Sequence, residues 1–299
     1  MHMYNIAIIY MGESYEQHLN TIKLQELLGK ITVIGIGCQD VRTKYMDGYP
    51  IYSVEEVLGM QYDYLLIGGQ KENFAQIKQL LVKIGVDKSK VFSLEIFSLP
   101  LFDFERYVQV AEKNISIISN HCWGGYTYHS LRAEFLSPFI NMFITQDDYI
   151  NLLEHFDEYM EEDVVYLKDA YETNLKRNYP IGILGGSGIK LWFNHYETFE
   201  DAKQKWQQRK KRINKDALFI EMQTDDEKIL ERFDALPFKH KIAFVPFETT
   251  SKSGRSLKCF SELEKRGFAG LANDLAAGFK GYYDLLKLLN GEEDFCRLN

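Results

Sequence analysis

Cysteine is scarce in this chain, four among 299 residues, and Cys38, Cys122, Cys259 and Cys296 form no C-x-x-C pair. That spacing excludes a zinc ribbon or a disulfide framework and fits reduced thiols in a cytosol. Long apolar runs are absent as well. No segment approaches the roughly 20 residues that a membrane-crossing helix needs, so membrane insertion is not expected. The opening residues pass directly into an apolar strand without a basic leader or a small-residue cleavage site, and a cytoplasmic protein is expected. Basic residues do not dominate: 35 Lys and Arg stand against 43 Asp and Glu, a net charge of -8. Such a balance argues against nucleic acid as a partner. Repeats, low-complexity tracts and a histidine cluster with metal-ligand spacing are also missing.

What remains is an ordinary globular composition, 45% hydrophobic and 14% aromatic, long enough for two domains. Through the first part, short β-branched runs at Tyr4–Tyr10, Ile31–Ile36, Tyr64–Ile67 and Val91–Leu94 alternate with helical spacing at Tyr15–Leu28 and Glu72–Ile84. Ser53 with Glu56 makes a capping box. Nearly continuous apolar strands separated by helices are the pattern of a parallel sheet covered on both faces. An α/β fold is therefore expected: a Rossmann-like parallel-sheet domain over residues 1–113, then a second, distinct three-layer α/β domain over 114–299. A helix over Phe102–Glu112 leads to the boundary. In the second domain strands are expected at Ile115–Ser119, Ile140–Ile144, Ile181–Leu184, Ile189–Phe193, Leu218–Met222 and Ile242–Phe247. Helices are expected at Gln146–Met160, Phe199–Ile213, Ile229–Leu236 and Phe268–Leu289.

Ligands of open α/β sheets bind beyond the carboxyl ends of strands. After the first strand comes Met11-Gly12-Glu13-Ser14, with one glycine where a dinucleotide fingerprint needs several, and Gly35 and Gly37 are only a partial substitute. The second domain is richer. Asn120, His121, Cys122, Trp123, Gly124 and Gly125 directly follow a strand, with His129 close behind. Such a loop can supply a thiolate, a general acid or base, or a backbone cradle for an anion. Equally, Cys is commonly a small buried hydrophobe, and His and Cys adjacent on an extended segment point opposite ways.

Asn194, His195 and Tyr196 trail another strand, and both segments are expected to converge on one pocket. Next comes a basic stretch from Lys203 to Lys215 without an acid. Arg209 lies one helical step from Trp206, so Arg209 or Arg212 can clamp an anion, unless either pairs with a structural carboxylate. Asp225 is a weak metal candidate. Thr224, Asp225, Asp226 and Glu227 read better as a helix start, and a divalent metal is not expected.

Together, Asn120–Gly125, Ser137–Asn141, Tyr179–Gly182, Asn194–Tyr196, Lys205–Arg209 and Arg212–Asn214 resemble a family of uncharacterised bacterial proteins associated with exopolysaccharide or capsule biosynthesis. The resemblance covers about 114–246. In the first domain, Asp47–Ile51 and Tyr62–Gly69 look like the Rossmann-like N-terminal domain of some sugar acyltransferases, without their hexapeptide repeats. The Asn120-x-Cys122 loop is loosely similar to that of a capsule acetyltransferase family that binds coenzyme A. The resemblance implies a setting in surface-polysaccharide biosynthesis. Within it, the residues lead us to expect a transferase acting on an activated anionic donor, a nucleotide sugar or acyl-CoA, and a sugar acceptor. Glycosyl, acyl and phosphoryl transfer stay open, as does a non-catalytic nucleotide- or sugar-binding scaffold. His121, His195 and Cys122 are the catalytic candidates. Asn120, Trp123, Gly124, Gly125, His129, Asn141, Asn194, Tyr196, Arg209, Arg212 and Asn214 are the substrate-binding candidates.

Overall fold

The computed structural model describes residues 2–10, 14–69, 71–173, 176–186, 188–258, 260, 262–268, 270–271 and 282–295. By contacts the chain divides into two units: Met1–Glu112 with Asp284–Phe295, and Lys113–Tyr283 with Cys296–Asn299.

In the first unit the apolar runs form β1 (Tyr4–Ile9), β2 (Ile31–Cys38), β4 (Tyr49–Ser53), β5 (Tyr64–Ile67) and β6 (Val91–Ser93), with a short β3 (Tyr45–Met46) at one edge. Their order is β3-β4-β2-β1-β5-β6. Every pairing is parallel except β3 with β4. Helices α1 (Ser14–Leu27), α2 (Val54–Leu58) and α3 (Lys71–Lys83) connect them, and α4 (Phe104–Lys113) closes the series. This is a Rossmann-like parallel sheet.

α1 buries Tyr15, His18, Ile22 and Gln25, spaced as one helical face. α2 starts at the capping box expected from Ser53 and Glu56. Gly35 and Gly37 lie inside β2 rather than in a loop after it. A Cβ on Gly35 would come within 2.9 Å of the Tyr52 ring, and one on Gly37 within 3.2 Å of Val57, so both glycines serve close packing and neither frames a phosphate. Met11–Glu13, the loop weighed as a nucleotide fingerprint, lies outside the described residues.

The last described α-helix, Leu285–Asn290, also belongs to this unit. Glu292 just beyond it meets Arg106 of α4 at 2.7 Å, and Asn290 Nδ2 donates to the Arg106 carbonyl at 3.1 Å. The boundaries 1–113 and 114–299 therefore differ from the contact division here. Sequence distance hides a terminal segment that packs back onto an early one.

In the second unit, β7 (Ser116–Ser119), β11 (Leu218–Gln223), β12 (Lys241–Val245) and β13 (Gly254–Ser256) make a parallel sheet in the order β13-β12-β11-β7. Ile118, Ile220, Met222, Ala243 and Val245 share one core with α6 (Gln146–Glu154) and α9 (Glu227–Ala235). On the opposite face the fully buried Trp123 of α5 (Trp123–Ser130) stacks on Phe219, ring centres 5.9 Å apart. Helices on both faces give the three-layer arrangement. A separate antiparallel sheet, β10-β9-β8, comes from β8 (Val164–Glu172), β9 (Arg177–Leu184) and β10 (Lys190–Trp192).

Several elements differ from expectation. Ile140–Ile144 is not a strand. Asn141 takes a left-handed backbone, φ 61°, which interrupts extension, and only Phe143 makes a β-bridge, to Trp192. The helix expected over Gln146–Met160 breaks at His155, whose φ of -126° and ψ of 35° are not helical, leaving α6 and α7 (Phe156–Glu161). β8 escaped notice because Val165, Tyr166 and Leu167 are all exposed, so burial does not alternate along it. α8 (Phe199–Lys210) stops a turn early. Most of the helix expected over Phe268–Leu289 lies outside the described residues.

Candidate functional site

Sheet register builds the site. β7 and β11 are parallel neighbours with Ser119 opposite Glu221, so the loop leaving β7 emerges beside the last residues of β11. Asn120 fastens the two ends: its Nδ2 donates to the Gln223 carbonyl at 3.1 Å and its Oδ1 accepts from the Gln223 amide at 3.0 Å. It is buried, and both ends of its amide are engaged in this clamp. Below it, Tyr149 Oη lies 2.9 Å from the carbonyl oxygens of both Ile118 and Glu221 and shares one hydrogen between them.

Beyond Asn120 the chain turns into α5. Ser119 Oγ donates to the His121 carbonyl at 2.6 Å and accepts from the Gly124 amide at 3.3 Å, so the loop folds over its own strand end. A Cβ on Gly124 would sit 3.2 Å from Ile117, which makes the glycine a condition for α5 lying close on β7. Trp123, Gly124 and Gly125 are all buried in packing.

His121 and Cys122 do diverge. His121 points inward, where Nδ1 accepts from the Trp123 amide at 3.3 Å, which fixes Nε2 as the protonated nitrogen of a neutral ring. Nε2 then faces Glu221 Oε1 at 3.8 Å, too long for a hydrogen bond. Burial lowers the His121 pKa from its usual value to about 3. Glu221 has no exposed surface, and neither of its oxygens has a hydrogen bond of ordinary geometry. Burial raises its pKa well above the carboxylate range, with the neighbouring Ser119 side chain acting the other way. We therefore treat this pair as two neutral groups rather than a salt bridge.

Cys122 turns outward. At the N-cap of α5, its Sγ lies 3.6 Å from His195 Nε2. This contact joins the Asn120–Gly125 loop to the Asn194–Tyr196 segment, two regions 73 residues apart. Burial raises the Cys122 thiol pKa; partial desolvation and then the Arg177 charge lower that of His195. The pair rests as a thiol beside a neutral imidazole, the base form needed to remove the thiol proton. Arg177, at the start of β9, donates from Nη2 to the Asn194 carbonyl at 3.0 Å.

Other candidates fall elsewhere. Tyr196 is buried and donates to the Ile140 carbonyl at 3.0 Å, while Arg209 donates to its hydroxyl at 2.8 Å and lies over the Phe135 ring at 4.9 Å. Arg212 pairs with Glu134 at 3.1 Å, the structural-carboxylate alternative. Asn214 takes the Lys113 and Asn114 carbonyls and caps a short helix. His129 packs edge-on against Phe135 at the far end of α5, and Asn141 is an exposed left-handed turn. At α9 the cap is Asp226, which accepts from Lys228, rather than Thr224. Asp225 accepts from Gln146 Nε2 at 2.9 Å, and among the described residues no group of three or more His, Cys, Asp or Glu could hold a metal.

Sequence reasoning missed Glu221 and Arg177. A lone acid inside the apolar run Leu218–Met222 was a visible signal for the first. Nothing local marks Arg177, because β9 begins four residues before the apolar run Ile181–Leu184 and only the fold brings it to Asn194.

A family model described as a domain of unknown function (DUF1919) matches residues 94–285. The chain belongs to this family. The DUF1919 region contains all of the site residues above, and residues 2–92 match a second model, described as C2185-like, N-terminal. An uncharacterized protein of Haemophilus influenzae (strain ATCC 51907 / DSM 11121 / KW20 / Rd) is 32% identical over 140 residues, which is 46% of this chain and 64% of the relative. The chain thus spans somewhat under two thirds of that relative's length. A dehydrogenase from Clostridium difficile shares 15% identity with a TM-score of 0.26, covering 62% of this chain and 68% of its own. A D-galactose-1-dehydrogenase from Rhizobium etli shares 12% with a TM-score of 0.24, covering 83% of this chain and 99% of its own. Likenesses this distant carry nothing about chemistry.

Proposed function

We propose that the protein is an acyl transferase of bacterial surface-polysaccharide biosynthesis, in which Cys122 is the nucleophile, an activated anionic compound such as an acyl-CoA is the donor, and a sugar hydroxyl is the acceptor. The polysaccharide setting comes from the motif resemblance. One observation supports the chemistry: Cys122 Sγ stands 3.6 Å from His195 Nε2, on a loop that follows a parallel strand and at the N-terminus of a helix.

As the sulfur attacks the donor carbonyl, His195 takes the thiol proton and returns it to the leaving group, so an S–C bond forms and the donor's C–X bond breaks. In the second half the sugar hydroxyl attacks the thioester and gives its proton to His195, which passes it to the departing sulfur. A neutral His195 suits both steps. Among the three transfers left open by sequence, acyl transfer is the one that uses a thiol paired with an imidazole. Glycosyl and phosphoryl transfer to a sugar need no such nucleophile.

Intact-mass spectrometry after incubation with acyl-CoA donors tests this. An adduct labile to hydroxylamine, located on Cys122 and absent from Cys122→Ser, is expected. Transfer to sugars that persists in Cys122→Ser would overturn the mechanism. Donor binding without adduct or turnover would instead favour a scaffold.

A further inference from the structure

Arg177 is the cation held beside the Cys122–His195 pair, through the Asn194 carbonyl. Its Nη2 is held by the Asn194 carbonyl, one residue before His195. Its Nε is buried without a hydrogen-bond partner. Among the described residues no carboxylate lies within ion-pair distance of it, although Glu172 is its cross-strand neighbour in the β8–β9 register. The other arginines weighed as anion ligands are engaged: Arg212 with Glu134, and Arg209 with the Tyr196 hydroxyl and the Phe135 ring.

A guanidinium fixed at one corner by a neutral carbonyl keeps its charge and its remaining N–H groups for another acceptor. Its buried Nε in particular lacks an acceptor, which costs free energy until one arrives. Arg177 also sits close enough to His195 for its charge to act on that ring.

We infer that Arg177 is the anion-recognition residue of the Cys122–His195 site, taking an oxyanion, phosphate or carboxylate, of the donor. This rests on Cys122 being the reacting thiol. It also explains why an activated donor with negative charge would be selected over a neutral one: the charged part docks on Arg177 while the carbonyl meets Cys122.

Alkylation of Cys122 with reagents that differ in charge separates the two ideas. Iodoacetate is an anion and iodoacetamide is its neutral counterpart, and peptide mapping isolates Cys122 from the other three cysteines. Relative to free cysteine under the same conditions, the iodoacetate-to-iodoacetamide rate ratio at Cys122 is expected to be raised about tenfold or more, as for other charge-focused sites. Arg177→Gln should return the ratio to that of free cysteine, and Arg177→Lys should keep part of the gain. Glu172→Gln should leave it unchanged.

Pyrophosphate should slow iodoacetate labelling of the wild type more than acetate does if phosphate is the preferred oxyanion. The reverse order would identify carboxylate. An unraised ratio in the wild type, or one unaffected in both Arg177 variants, would overturn the inference even if Cys122 reacts quickly with iodoacetamide. Slow iodoacetamide labelling that His195→Ala does not change would instead overturn the nucleophile reading. The wild-type ratio needs no variant, so misfolding of either substitution leaves the test intact.

Discussion

On the buried stripe of α1 in the first unit, two polar side chains both find partners. Gln25 donates to the Phe102 carbonyl at 2.9 Å and accepts from the Phe104 amide at 3.0 Å, and His18 meets Glu95 at 3.3 Å. In and around the loop Ser119–Gly125 of the second unit, Glu221, His121 Nε2, Gln223 Nε2 and Arg177 Nε are buried without such partners. Among the described residues of the first unit, only the Tyr15 hydroxyl is in that position. Polar groups that close on one another hold a fold. Groups kept open near a thiol are the mark of a place where structure gives way to chemistry.

The sharpest break in that comparison is catalytic. Cys122→Ser should abolish acyl transfer, and His195→Ala should lower it by about 10²- to 10⁴-fold, the usual contribution of a positioned base. His18→Ala in the first unit should leave the rate per folded molecule unchanged. Comparable losses from His18→Ala and His195→Ala, measured at equal folded concentration, would erase the distinction.

Stability should show the opposite emphasis. Gln25 is fully buried, so Gln25→Ala strands a carbonyl and an amide and should cost about 2–4 kcal/mol by urea denaturation, at about 1–3 kcal/mol for each group left unmade. Asn120→Ala strands two groups of Gln223 in the same way and is expected to match it, but with activity lost as well, because the β7–β11 clamp sets the loop that carries Cys122.

Glu221 gives a pH test. Its pKa is raised in the folded state, so the folded protein holds the proton more tightly than the unfolded chain. Stability from this group is therefore greatest at acid pH and falls as pH rises from the ordinary carboxylate range towards the folded value, by at most about 1.4 kcal/mol per pH unit. His121, lowered to about 3, acts in the other direction and loses stability as pH falls below its ordinary range. Glu221→Gln keeps the shape and removes only the first effect. Its urea midpoint should fall less than that of the wild type between about pH 5 and pH 8; equal falls would show that Glu221 is ionised and matched after all.

Much of this was legible in sequence because one-dimensional patterns report local structure. Apolar runs marked every strand of the two parallel sheets except the short β3, β4 and β13, and the Ser53–Glu56 capping box stood as read. The loop Asn120–Gly125 and the segment Asn194–Tyr196 were both picked out as strand-end features, and the structure brings Cys122 to His195. Individual roles were harder. Trp123, Gly124 and Gly125 looked like a ligand cradle, yet what fixes them is the closeness of α5 to β7, a distance between elements that no local spacing encodes. Asn214 likewise owes its place to carbonyls about 100 residues earlier.

The smallest effect concerns Arg212. It was weighed as an anion ligand because its stretch contains no acid, but Glu134 supplies one from 78 residues away in sequence, meeting Arg212 Nη1 at 3.1 Å with both side chains about 40% or more exposed. An ion pair so open to water gains little, because solvent screens the charges and two long side chains lose freedom in forming it. Arg212→Ala should therefore change stability by about 0–1 kcal/mol, less at high salt, and should leave both the rate of transfer and the iodoacetate preference at Cys122 as they are. Arg177→Gln is its matched contrast, since the same loss of one positive charge should there remove the preference. If Arg212→Ala reduced that preference as much as Arg177→Gln, the effect would belong to the net charge of the unit rather than to a guanidinium held at the Asn194 carbonyl, and the division between closed and open polar groups would no longer predict where the anion binds.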